Sequence, residues 1–445
     1  MINMSRAIVD RREFIKNAVA TAVILPAAAT IVPADVAPLA RKRYAIVGTG
    51  HRGSGMWGKD IFERYSNEVE FVGLCDKNPL RAEAARKLIG AECPTYSNFD
   101  EMIDNSKPDL IAVTTMDSTH HIFIKRALER GINVLTEKPM VTEAKDCQSV
   151  LDAEKKYNRN IIVTFNYRYA PKHQKIKEMI ASGEIGKVTS VDFSWYLDTS
   201  HGADYFRRWH RLKSGGGSLW VHKATHHFDL INWWLDADPV EVSAYGALNV
   251  YGKNGAFRST NCRSCEHKSK CSFYFDVTKD ARLTKLYSEC ESFDGYNRDG
   301  CVFKNDIDIY DTMSAAVKYS NGVSMSYSLN ASMPIEGYRL AFNGTKGRLE
   351  VRDYERQPWA VERKATAFLT KNFGKHEELD MPQIGGGHFG GDDGLREVIF
   401  RNAKVPEHSK LPSARAGAMS CLTGIAARTS IEQARPVKIS ELIKL

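Results

Sequence analysis

One stretch near the start of the chain, residues 43–76, restricts the possible fold more than any other. It opens with the apolar run Arg43–Val47, which is rich in strand-forming residues and predicts a buried strand. The turn Gly48–Gly53 follows with the pattern G-x-G-x-x-G and leads into a helix-compatible segment. A second predicted strand, Glu70–Cys75, ends directly before Asp76. This order of strand, glycine turn, helix, strand and acid is the fingerprint of a dinucleotide-binding βαβ unit.

The residues of the turn have separate physical tasks in binding a dinucleotide. Gly48 permits the tight turn, Gly50 lets the backbone approach a pyrophosphate, and Gly53 lets the helix pack closely on the strand. The helix N-terminus offers unpaired amide groups and a partial positive charge to the phosphates. We therefore expect the residues of this turn to contact the cofactor: Gly48, Gly50, His51, Arg52 and Gly53.

The acid at the end of the second strand bears on which dinucleotide binds. A carboxylate at Asp76 accepts hydrogen bonds from a ribose 2′-hydroxyl, which favours NAD over NADP. Lys77 beside it leaves room for a 2′-phosphate, so NADP stays open as the alternative.

Composition and charge are typical of a globular protein and exclude several classes. The 445 residues suggest two domains, and 43% hydrophobic residues can supply a sizeable core. Lysine and arginine exceed aspartate and glutamate by 62 − 54 = 8, which is mild for this length, and no basic run is interleaved with aromatics. Nucleic acid is therefore not expected as a partner. No apolar run is long enough for a stable membrane span.

The first 40 residues are typical of an export leader. The segment Asp10–Lys16 contains twin arginines followed by phenylalanine and lysine, and the modest apolar run Ala18–Val32 comes next. This pattern indicates a twin-arginine signal region over residues 1–40, hence the twin-arginine translocase as a partner and a periplasmic or otherwise exported protein. An amphipathic tail or a membrane anchor is the alternative. Export in the folded state suits a protein that must acquire its nucleotide in the cytoplasm.

Beyond Asp76, two patterns of elements follow one another. Predicted strands at Asp109–Val113, Ile132–Leu135 and Asn160–Phe165 alternate with helices, which indicates a doubly wound parallel sheet and a Rossmann domain over residues 41–165. From residue 166 to 445, consecutive strands without intervening helices indicate a second α/β domain on a large open mixed or antiparallel sheet.

Polar residues follow several of the predicted parallel strands, where this fold places its ligands. Candidate cofactor contacts at these strand ends are Thr115, His120, Glu137, Lys138 and Arg168. Lys138 is also a candidate for handling a substrate proton, with a surface lysine paired to Glu137 as the alternative.

Two further stretches carry groups suited to a sugar. The loop Asp198–Trp209 contains Tyr205, Arg208 and Trp209. These residues suit a sugar because aromatic faces stack on its C–H surfaces and arginine binds its hydroxyls. An ordinary polar loop over the core is the alternative. Tyr167, after a strand end, is a further substrate candidate.

A predicted helix over Trp220–Leu235 carries three histidines. His222 and His226 are spaced i,i+4 and would point from one face of it, either as a substrate-binding and proton-relay pair or as two metal ligands. No paired acid is obvious from the sequence. His227, beside them, is a substrate candidate.

A polar insertion, residues 251–305, holds a cluster of cysteines. Thiolates in the spacing C-x2-C-x5-C fold around one Zn²⁺ when a fourth ligand closes the tetrahedron. We assign Cys262, Cys265, Cys271 and Cys290 to a structural zinc site, with Cys301 as the alternative fourth ligand. Disulfides and an iron–sulfur cluster remain open alternatives.

These motifs together resemble the Gfo/Idh/MocA oxidoreductases from about residue 43 almost to the end of the chain. The matching segments are Gly48–Gly53, Thr115–His120, Glu137–Pro139, Phe165–Pro171, Gly183–Gly186, Gly215–Gly217, His226–Asp229 and Gly385–Asp392. The resemblance implies a Rossmann domain, a second domain whose sheet often forms the oligomer interface, and hence a homo-oligomer, a dimer or tetramer. It also implies a tightly held nicotinamide cofactor acting on sugars, polyols or glycosides.

The resemblance further implies catalytic residues, with one departure. Family members place a lysine and a histidine at the reacting carbon, and Lys138 and His226 match them. Most members carry an aspartate four residues before that histidine, where this chain has His222. The departure leaves open which group is the base.

The sequence as a whole predicts an exported NAD-dependent oxidoreductase that moves a hydride between a sugar ring carbon, with C3 a common target in glycoside-active relatives, and a bound nicotinamide. One alternative is a redox-assisted glycosidase that oxidises, eliminates, hydrates and reduces. Another is a non-catalytic sugar-binding protein on a relic Rossmann fold.

Overall fold

A computed structural model describes residues 41–356, 365–382 and 384–444. The predicted export leader, residues 1–40, lies outside the described residues. Within the described ranges, no helix combines the length and apolar character needed to cross a bilayer.

The N-terminal part is built on a six-stranded parallel sheet in the order β3-β2-β1-β4-β5-β6. Its strands are β1 Lys42–Val47, β2 Val69–Cys75, β3 Thr95–Tyr96, β4 Leu110–Val113, β5 Asn133–Thr136 and β6 Ile161–Val163. The helices between them are α1 His51–Ser54, continued by a π-type turn at Gly55–Lys59 and α2 Asp60–Arg64, then α3 Pro79–Ile89, α4 Phe99–Ser106, α5 His120–Glu129 and α6 Ala144–Tyr157. The predicted doubly wound sheet is confirmed, with the strand order of a dinucleotide-binding fold.

The second part is built on a nine-stranded sheet in the order β14-β13-β12-β11-β7-β10-β9-β8-β15. Its strands are β7 Val188–Asp198, β8 Pro239–Ala247, β9 Thr312–Tyr319, β10 Ser324–Met333, β11 Glu336–Gly344, β12 Gly347–Arg356, β13 Thr366–Lys371, β14 His376–Leu379 and β15 Val437–Lys438. Strands β7 and β10 pair in parallel and the other neighbours pair antiparallel, so the sheet is mixed, as the sequence predicts.

Helices and the cysteine-containing insertion complete this part. The helices are α7 Pro171–Ala181, α8 Thr199–Arg207, α9 Lys213–Gly216, α10 Leu219–His222, α11 Ala224–Leu235, α12 Ala281–Leu286, α13 Glu291–Asp294, α14 Gly391–Arg401 and α15 Ala414–Gln433. Buried and exposed residues alternate strictly along β9, and along most of β10 buried residues alternate with exposed or half-buried ones, since one face of the sheet packs on helices and the other faces outward.

One late helix packs on the N-terminal sheet although it follows the second sheet in the chain. The apolar side chains of α14, including Leu395 and Phe400, pack in one buried cluster with Tyr44 and Ile46 of β1. The Tyr44 and Phe400 rings meet edge to face at 5.9 Å. The two parts of the fold therefore share a core.

The single helix predicted over Trp220–Leu235 is wrong in one respect, because the chain is broken at Lys223 into α10 and α11. Lys223 turns inward, with its ammonium 5.1 Å from the centre of the Trp195 ring. The His226 amide donates to the carbonyl of Lys223 at 3.2 Å. His222 bonds to Asp117, whereas His226 stacks on Tyr167, so the two side chains have different surroundings.

Candidate active site

A cleft of about 870 Å³ opens at the carboxyl ends of the parallel strands, between the two sheets. It is lined by residues that follow β1, β2, β4 and β5, as the doubly wound fold predicts for a nucleotide site. Of the residues predicted to bind cofactor or substrate, those lining the cleft are Gly48, Gly50, His51, Arg52, Asp76, Thr115, His120, Glu137, Lys138, Tyr205, Arg208 and Trp209, and His222 lines it as well.

Two glycines of the turn are packed so closely that neither has room for a side chain. A Cβ on Gly48, which has φ +89°, would lie 2.5 Å from the Thr115 amide nitrogen. A Cβ on Gly53 would lie 2.2 Å from the Gly48 carbonyl oxygen, which explains the close contact of helix and strand. The turn thus has the backbone geometry that a pyrophosphate requires.

Asp76 lies buried at the end of β2 and lines the cleft. One carboxylate oxygen, Oδ2, accepts from the Thr49 amide at 2.9 Å, and the other, Oδ1, accepts from the Asn78 amide at 3.0 Å. Arg81 Nη1 is 3.2 Å from Oδ1 and also pairs with Asp294 at 2.7 Å. The carboxylate is therefore fixed in place where a ribose would lie.

Arg52 and Glu137 form a charged wall across the cleft. Arg52 Nε donates to Glu137 Oε1 at 2.7 Å, and the Trp57 indole donates to the same oxygen at 2.7 Å. Burial raises the pKa of Glu137, but Arg52 and Lys138 outweigh burial and hold that pKa below its ordinary value. Glu137 is thus ionised and balances the cations around it.

Lys138 follows β5 and lies in this cleft. Its Nζ is 3.4 Å from the carbonyl oxygen of His222. Burial lowers the pKa of Lys138 to about 8, although Glu137 and Asp117 favour the charged form. A lysine with this pKa exchanges a proton near neutral pH.

Asp117 supplies the acid that the sequence did not reveal for His222. Asp117 Oδ2 and His222 Nδ1 are 2.5 Å apart, and both side chains are buried. Burial raises the pKa of Asp117 and lowers that of His222, so one proton is held between them. In the sequence, Asp117 belongs to the polar loop 114–120 that follows a predicted strand, but only the fold brings this loop to α10.

His210 was not predicted as a site residue, and it lies beside this pair. Its ring lies 4.0 Å from the His222 ring and stacks on Trp209 at 3.5 Å. Among the described residues, Asp117, His210 and His222 are the one group of three metal-type ligands whose ligand atoms lie within 4.8 Å of one another. Burial lowers the pKa of His210 well below its ordinary value, so its imidazole is neutral.

Three predicted site residues, Tyr167, His226 and His227, lie behind the cleft rather than on its wall. Tyr167 is 3% exposed and stacks on His226 at 4.4 Å between ring centres. His227 stacks on Trp195 and bonds to the Tyr327 hydroxyl at 2.7 Å. These side chains therefore pack in the core behind the residues that line the cleft.

Arg168 is held in a buried ion pair. Its Nε donates to Asp229 Oδ2 at 2.7 Å and its Nη2 to Oδ1 at 2.5 Å. The structure does not bring this guanidinium to the cleft, and it ties the residues after β6 to α11.

The predicted sugar-compatible loop does reach the cleft. Asp198 caps α8, and the chain after this helix brings Arg208 and Trp209 to the cleft wall. Tyr205 bonds to His201 Nε2 at 2.9 Å, while Asp204 pairs with Arg208 at 2.9 Å. Trp209 is only partly buried, so one face of its indole is available to a ligand.

His388 is a second residue that sequence reasoning missed as a site residue. It belongs to the glycine-rich segment before α14, has φ +49° and lines the cleft. Asp392 Oδ2 lies 3.0 Å from His388 Nδ1 and fixes the ring. Burial lowers the pKa of His388, although Asp392 favours its charged form. The signal was present in the quoted segment Gly385–Asp392, but nothing in the sequence assigned the histidine a task.

The cysteines fall into two places. Cys262, Cys265, Cys271 and Cys301 line one cavity of about 10 Å³. Cys290 lies elsewhere, buried against the N-terminal part, with its sulfur 3.4 Å from the Lys285 carbonyl oxygen. The structure therefore does not bring Cys290 to the cluster, and Cys301, the alternative fourth ligand, lies there instead. No disulfide joins any of the nine cysteines, all of which lie within the described residues.

Comparison with known proteins matches both parts of the chain. The family model described as "Oxidoreductase family, NAD-binding Rossmann fold" matches residues 42–165. The model described as "Oxidoreductase family, C-terminal alpha/beta domain" matches residues 177–439.

Individual relatives agree with these models. YteT of Bacillus subtilis (strain 168), which is named as an oxidoreductase, is 40% identical over 426 residues, covering 91% of this chain and 99% of that protein. An inositol 2-dehydrogenase/D-chiro-inositol 3-dehydrogenase of Lactiplantibacillus plantarum is 26% identical over 250 residues, covering 53% of this chain and 69% of that protein.

Among solved structures, the WlbA dehydrogenase of Bordetella pertussis, in complex with NADH and UDP-GlcNAcA, matches with a TM-score of 0.61. It is 18% identical and the match covers 91% of this chain and 100% of that one, so the likeness shows the fold.

Proposed function

Because this chain belongs to the Gfo/Idh/MocA oxidoreductase family, we propose that it moves a hydride between a sugar ring carbon and a nicotinamide cofactor that stays bound. The observation that carries the proposal is the position of Lys138. This residue lies at the carboxyl end of β5 beside the bonded pair of Asp117 and His222. A proton-exchanging amine in a dinucleotide cleft is what oxidation of a secondary alcohol needs.

The residues around the cleft fit NAD. Gly48 and Gly50 line the cleft without side chains, which suits the approach of a pyrophosphate, and Asp76 offers its carboxylate to ribose hydroxyls. A 2′-phosphate would meet that carboxylate at close range, which disfavours NADP. When bound, a nicotinamide supplies the acceptor or donor of hydride.

Lys138 is proposed as the group that takes the hydroxyl proton. Its neutral form is populated near pH 8 because burial lowers its pKa. Glu137 on one side and Asp117 on the other stabilise the ammonium that forms after proton transfer, so the same residue can return the proton when a ketone is reduced.

His222 and Asp117 are proposed to orient the substrate and to pass protons. A buried imidazole whose Nδ1 is bonded to a carboxyl group is held in one orientation, with Nε2 left for the sugar. His226 remains a predicted catalytic residue. Its ring centre is 6.0 Å from that of His388, which lines the cleft.

A sugar ring fits the wall beside these groups. The exposed face of Trp209 suits the apolar C–H surface of a pyranose, and the Arg208 guanidinium suits its hydroxyls. Relatives named as inositol dehydrogenases and a neighbour solved with a nucleotide sugar support a polyhydroxylated substrate class for this chain. We propose C3 as the first carbon to test.

A redox-assisted glycosidase is the second candidate function. Elimination of an aglycone needs one group to remove a proton next to the transient ketone and another to protonate the leaving group. The cleft offers more proton-handling groups than simple oxidation needs, with His210 and His388 in addition to Lys138 and the pair of Asp117 and His222. Net hydrolysis of a glycoside without net redox change would favour this candidate over the first.

Two further proposals concern the whole protein. We propose export by the twin-arginine route to the periplasm, supported by Arg11 and Arg12 in the N-terminal segment. We also propose a homo-oligomer joined through the outer face of the nine-stranded sheet, where small exposed side chains such as Ser314, Ala316 and Ser326 permit close approach. Cell fractionation and light scattering on a sizing column test these two statements.

The direct test of the function is turnover with a panel of glycosides. The protein, purified without added nucleotide, is mixed with each glycoside, and 3-keto products are sought by mass spectrometry while bound NADH is followed at 340 nm. Without an added hydride acceptor each bound NAD oxidises at most one glycoside, so ketone up to one equivalent of bound cofactor with no free NADH released supports the proposal, and an added ketone or aldose that reoxidises the bound NADH permits further turnover. Stoichiometric release of NADH would contradict the bound-cofactor proposal, and full activity of a Lys138→Ala variant would favour a non-catalytic binding protein.

A further inference from the structure

We propose that Cys262, Cys265, Cys271 and Cys301 bind one thiophilic metal ion, Zn²⁺, and that this ion fastens the segment covering the cofactor cleft. The first statement concerns the cysteines alone. The second rests on the proposed function, since it concerns retention of the bound nicotinamide.

The four cysteines surround one small space. They line a cavity of about 10 Å³, which has room for about one water molecule or a single ion and is too small for a cluster of several metals. The sulfurs are more widely spaced than in a closed site, where Zn–S bonds of about 2.3 Å place them about 3.8 Å apart. Binding therefore requires the loop to tighten around the ion.

Neighbouring groups are suited to thiolates. A tetrathiolate zinc centre carries net negative charge, and two cations face it: Arg207 Nη1 lies 3.2 Å from the Cys262 sulfur, and Lys268 lines the cavity. The Phe303 amide donates to the Cys301 sulfur at 3.4 Å. Hydrogen bonds of this kind orient and stabilise the ligands of a metal.

The insertion around these cysteines is otherwise weakly organised. The segment from Cys262 to Cys271 contains four charged residues and is held by short turns rather than by a helix or a strand. Such a segment buries little apolar surface, so metal ligation is the interaction that would order it.

The chain between Cys271 and Cys301 forms one wall of the cleft. Tyr287, Asp294, Tyr296 and Arg298 all line it. The Tyr287 hydroxyl accepts from the His51 amide at 2.8 Å. This part of the insertion thus lies directly on the phosphate-binding turn.

Arg282, on α12, strengthens the same contact. Its Nη2 donates to the His51 carbonyl oxygen at 2.6 Å. A dinucleotide bound at this turn would be covered by α12 and by the residues after it, so its departure requires this segment to move.

The cysteine cluster and the cleft wall are joined by Asp299. Its carbonyl accepts from the Cys262 amide at 2.8 Å, and its buried carboxylate accepts from Arg263 Nε at 3.0 Å. The preceding residue, Arg298, lines the cleft and pairs with Asp204 at 2.6 Å. The position of this wall therefore depends on the residues at the cluster.

A metal at this place ties both ends of the covering segment to one point. Three ligands precede the segment and Cys301 follows it, so ligation closes the loop that contains it. Closing a loop removes much of the freedom its residues would need to swing away. We therefore expect loss of the ion to accelerate release of the cofactor.

The test uses the exported, mature protein and two serine variants. Zinc, iron and sulfide are quantified per chain after gel filtration, and the nicotinamide remaining bound is measured over time in dilute solution. Cys301→Ser removes a proposed ligand, whereas Cys290→Ser changes a buried thiol outside the cluster. We expect about one zinc per chain in the wild type and in Cys290→Ser, loss of zinc in Cys301→Ser, and cofactor release at least about tenfold faster in that variant.

A second measurement covers the case in which Cys301→Ser fails to fold. The folded wild type is titrated with an organomercurial, and zinc release is followed with a metallochromic dye beside circular dichroism. Zinc lost together with four thiols supports the site, and it does so whether or not any nicotinamide is bound.

Three results would overturn the proposal. Iron with acid-labile sulfide would refute the single-ion assignment, and disulfides among the four cysteines without metal would refute the site. Loss of zinc with unchanged cofactor release would refute the coupling while leaving the metal site and the proposed function intact.

Discussion

At the scale of single residues, the chemistry depends on what burial does to Lys138. The amine must be neutral to accept a proton from a hydroxyl, and burial lowers its pKa to about 8. The neutral fraction grows as pH rises through that value. We expect kcat/KM for sugar oxidation to rise with pH to a plateau above a midpoint near 8, and the rate of ketone reduction to fall over the same range.

Replacement of Lys138 separates this role from cofactor binding. We expect Lys138→Met to lower kcat by about 10³-fold, because general acid–base groups contribute factors of this order, while bound nicotinamide is unchanged. Lys138→Arg keeps a charge that cannot be removed near pH 8, so it should also fail to oxidise. Rapid-mixing kinetics at 340 nm measures both variants, and activity above a tenth of wild type in either would contradict the assignment.

Asp117 is predicted to act through His222. We expect Asp117→Asn to lower kcat by about 10- to 100-fold with little change in KM, since the amide cannot share a proton with the imidazole as the carboxyl group does. Steady-state kinetics and the pH profile measure the effect. Asp146→Asn is the matched control, because Asp146 lies 3.6 Å from His121 in another aspartate–histidine contact away from the cleft. Equal losses in the two variants would exclude a specific role for Asp117.

Arg168 is predicted to stabilise the fold. Removing one partner of a buried pair leaves the other charge unpaired, so Arg168→Ala should lower the free energy of unfolding by about 3 kcal/mol. The control is Arg415→Ala, whose exposed pair with Asp238 contributes at most about 1 kcal/mol. Denaturant unfolding measures both. A stable Arg168→Ala that merely binds NAD less tightly would restore the cofactor role expected from the sequence.

Predictions for single residues succeeded where a sequence motif fixes the position of the residue in the fold. They failed where contacts between distant segments fix it. Lys138 and Asp76 follow strands and reach the cleft, as their positions indicate. Asp117 lies 105 positions from His222, so no local pattern connects them. Arg168 is typical of a ligand residue after a strand, but Asp229 holds it.

At the scale of elements, the contact between β1 and α1 depends on the absence of a side chain at Gly53. A Cβ there would overlap the Gly48 carbonyl oxygen, which is backbone and cannot yield without separating strand from helix. We expect Gly53→Ala to lose bound nicotinamide and to reduce the free energy of unfolding by about 1–3 kcal/mol. Gly385→Ala is the control, since a Cβ there meets no atom within 4 Å.

Cofactor content after denaturation and a thermal melt give the two readouts for Gly53→Ala. A variant that keeps its nicotinamide would show that the turn does not bind the pyrophosphate.

Elements were predicted well where periodicity is strong, and less well where the chain turns inward. Five of the six parallel strands and the strands β7 to β12 of the second sheet follow from apolar runs and turn residues, whereas the short strand β3 and the strands β13, β14 and β15 were not predicted. The break at Lys223 has no such signal, because lysine is a good helix former, and only the fold places its ammonium over the Trp195 ring. Likewise, only the path of the insertion shows that Cys301, and not Cys290, lies with the other three cysteines of the cluster.

At the scale of the whole molecule, the two sheets and the insertion enclose one cleft. The N-terminal sheet supplies the turn and Lys138, the second part supplies His222 and Trp209, and the insertion supplies Tyr287. The sequence indicated the first two contributions. It did not indicate that α14 would pack on β1 or that the insertion would reach the phosphate-binding turn, since both are contacts between distant segments.

The central claim is that this protein carries a nicotinamide and uses it on a sugar. The most direct measurement is to denature protein purified without added nucleotide and to quantify released NAD(H) and NADP(H) by absorbance and mass spectrometry. The account predicts stoichiometric NAD(H) with little NADP(H). Protein that releases no nicotinamide and also fails to bind added NAD would contradict it.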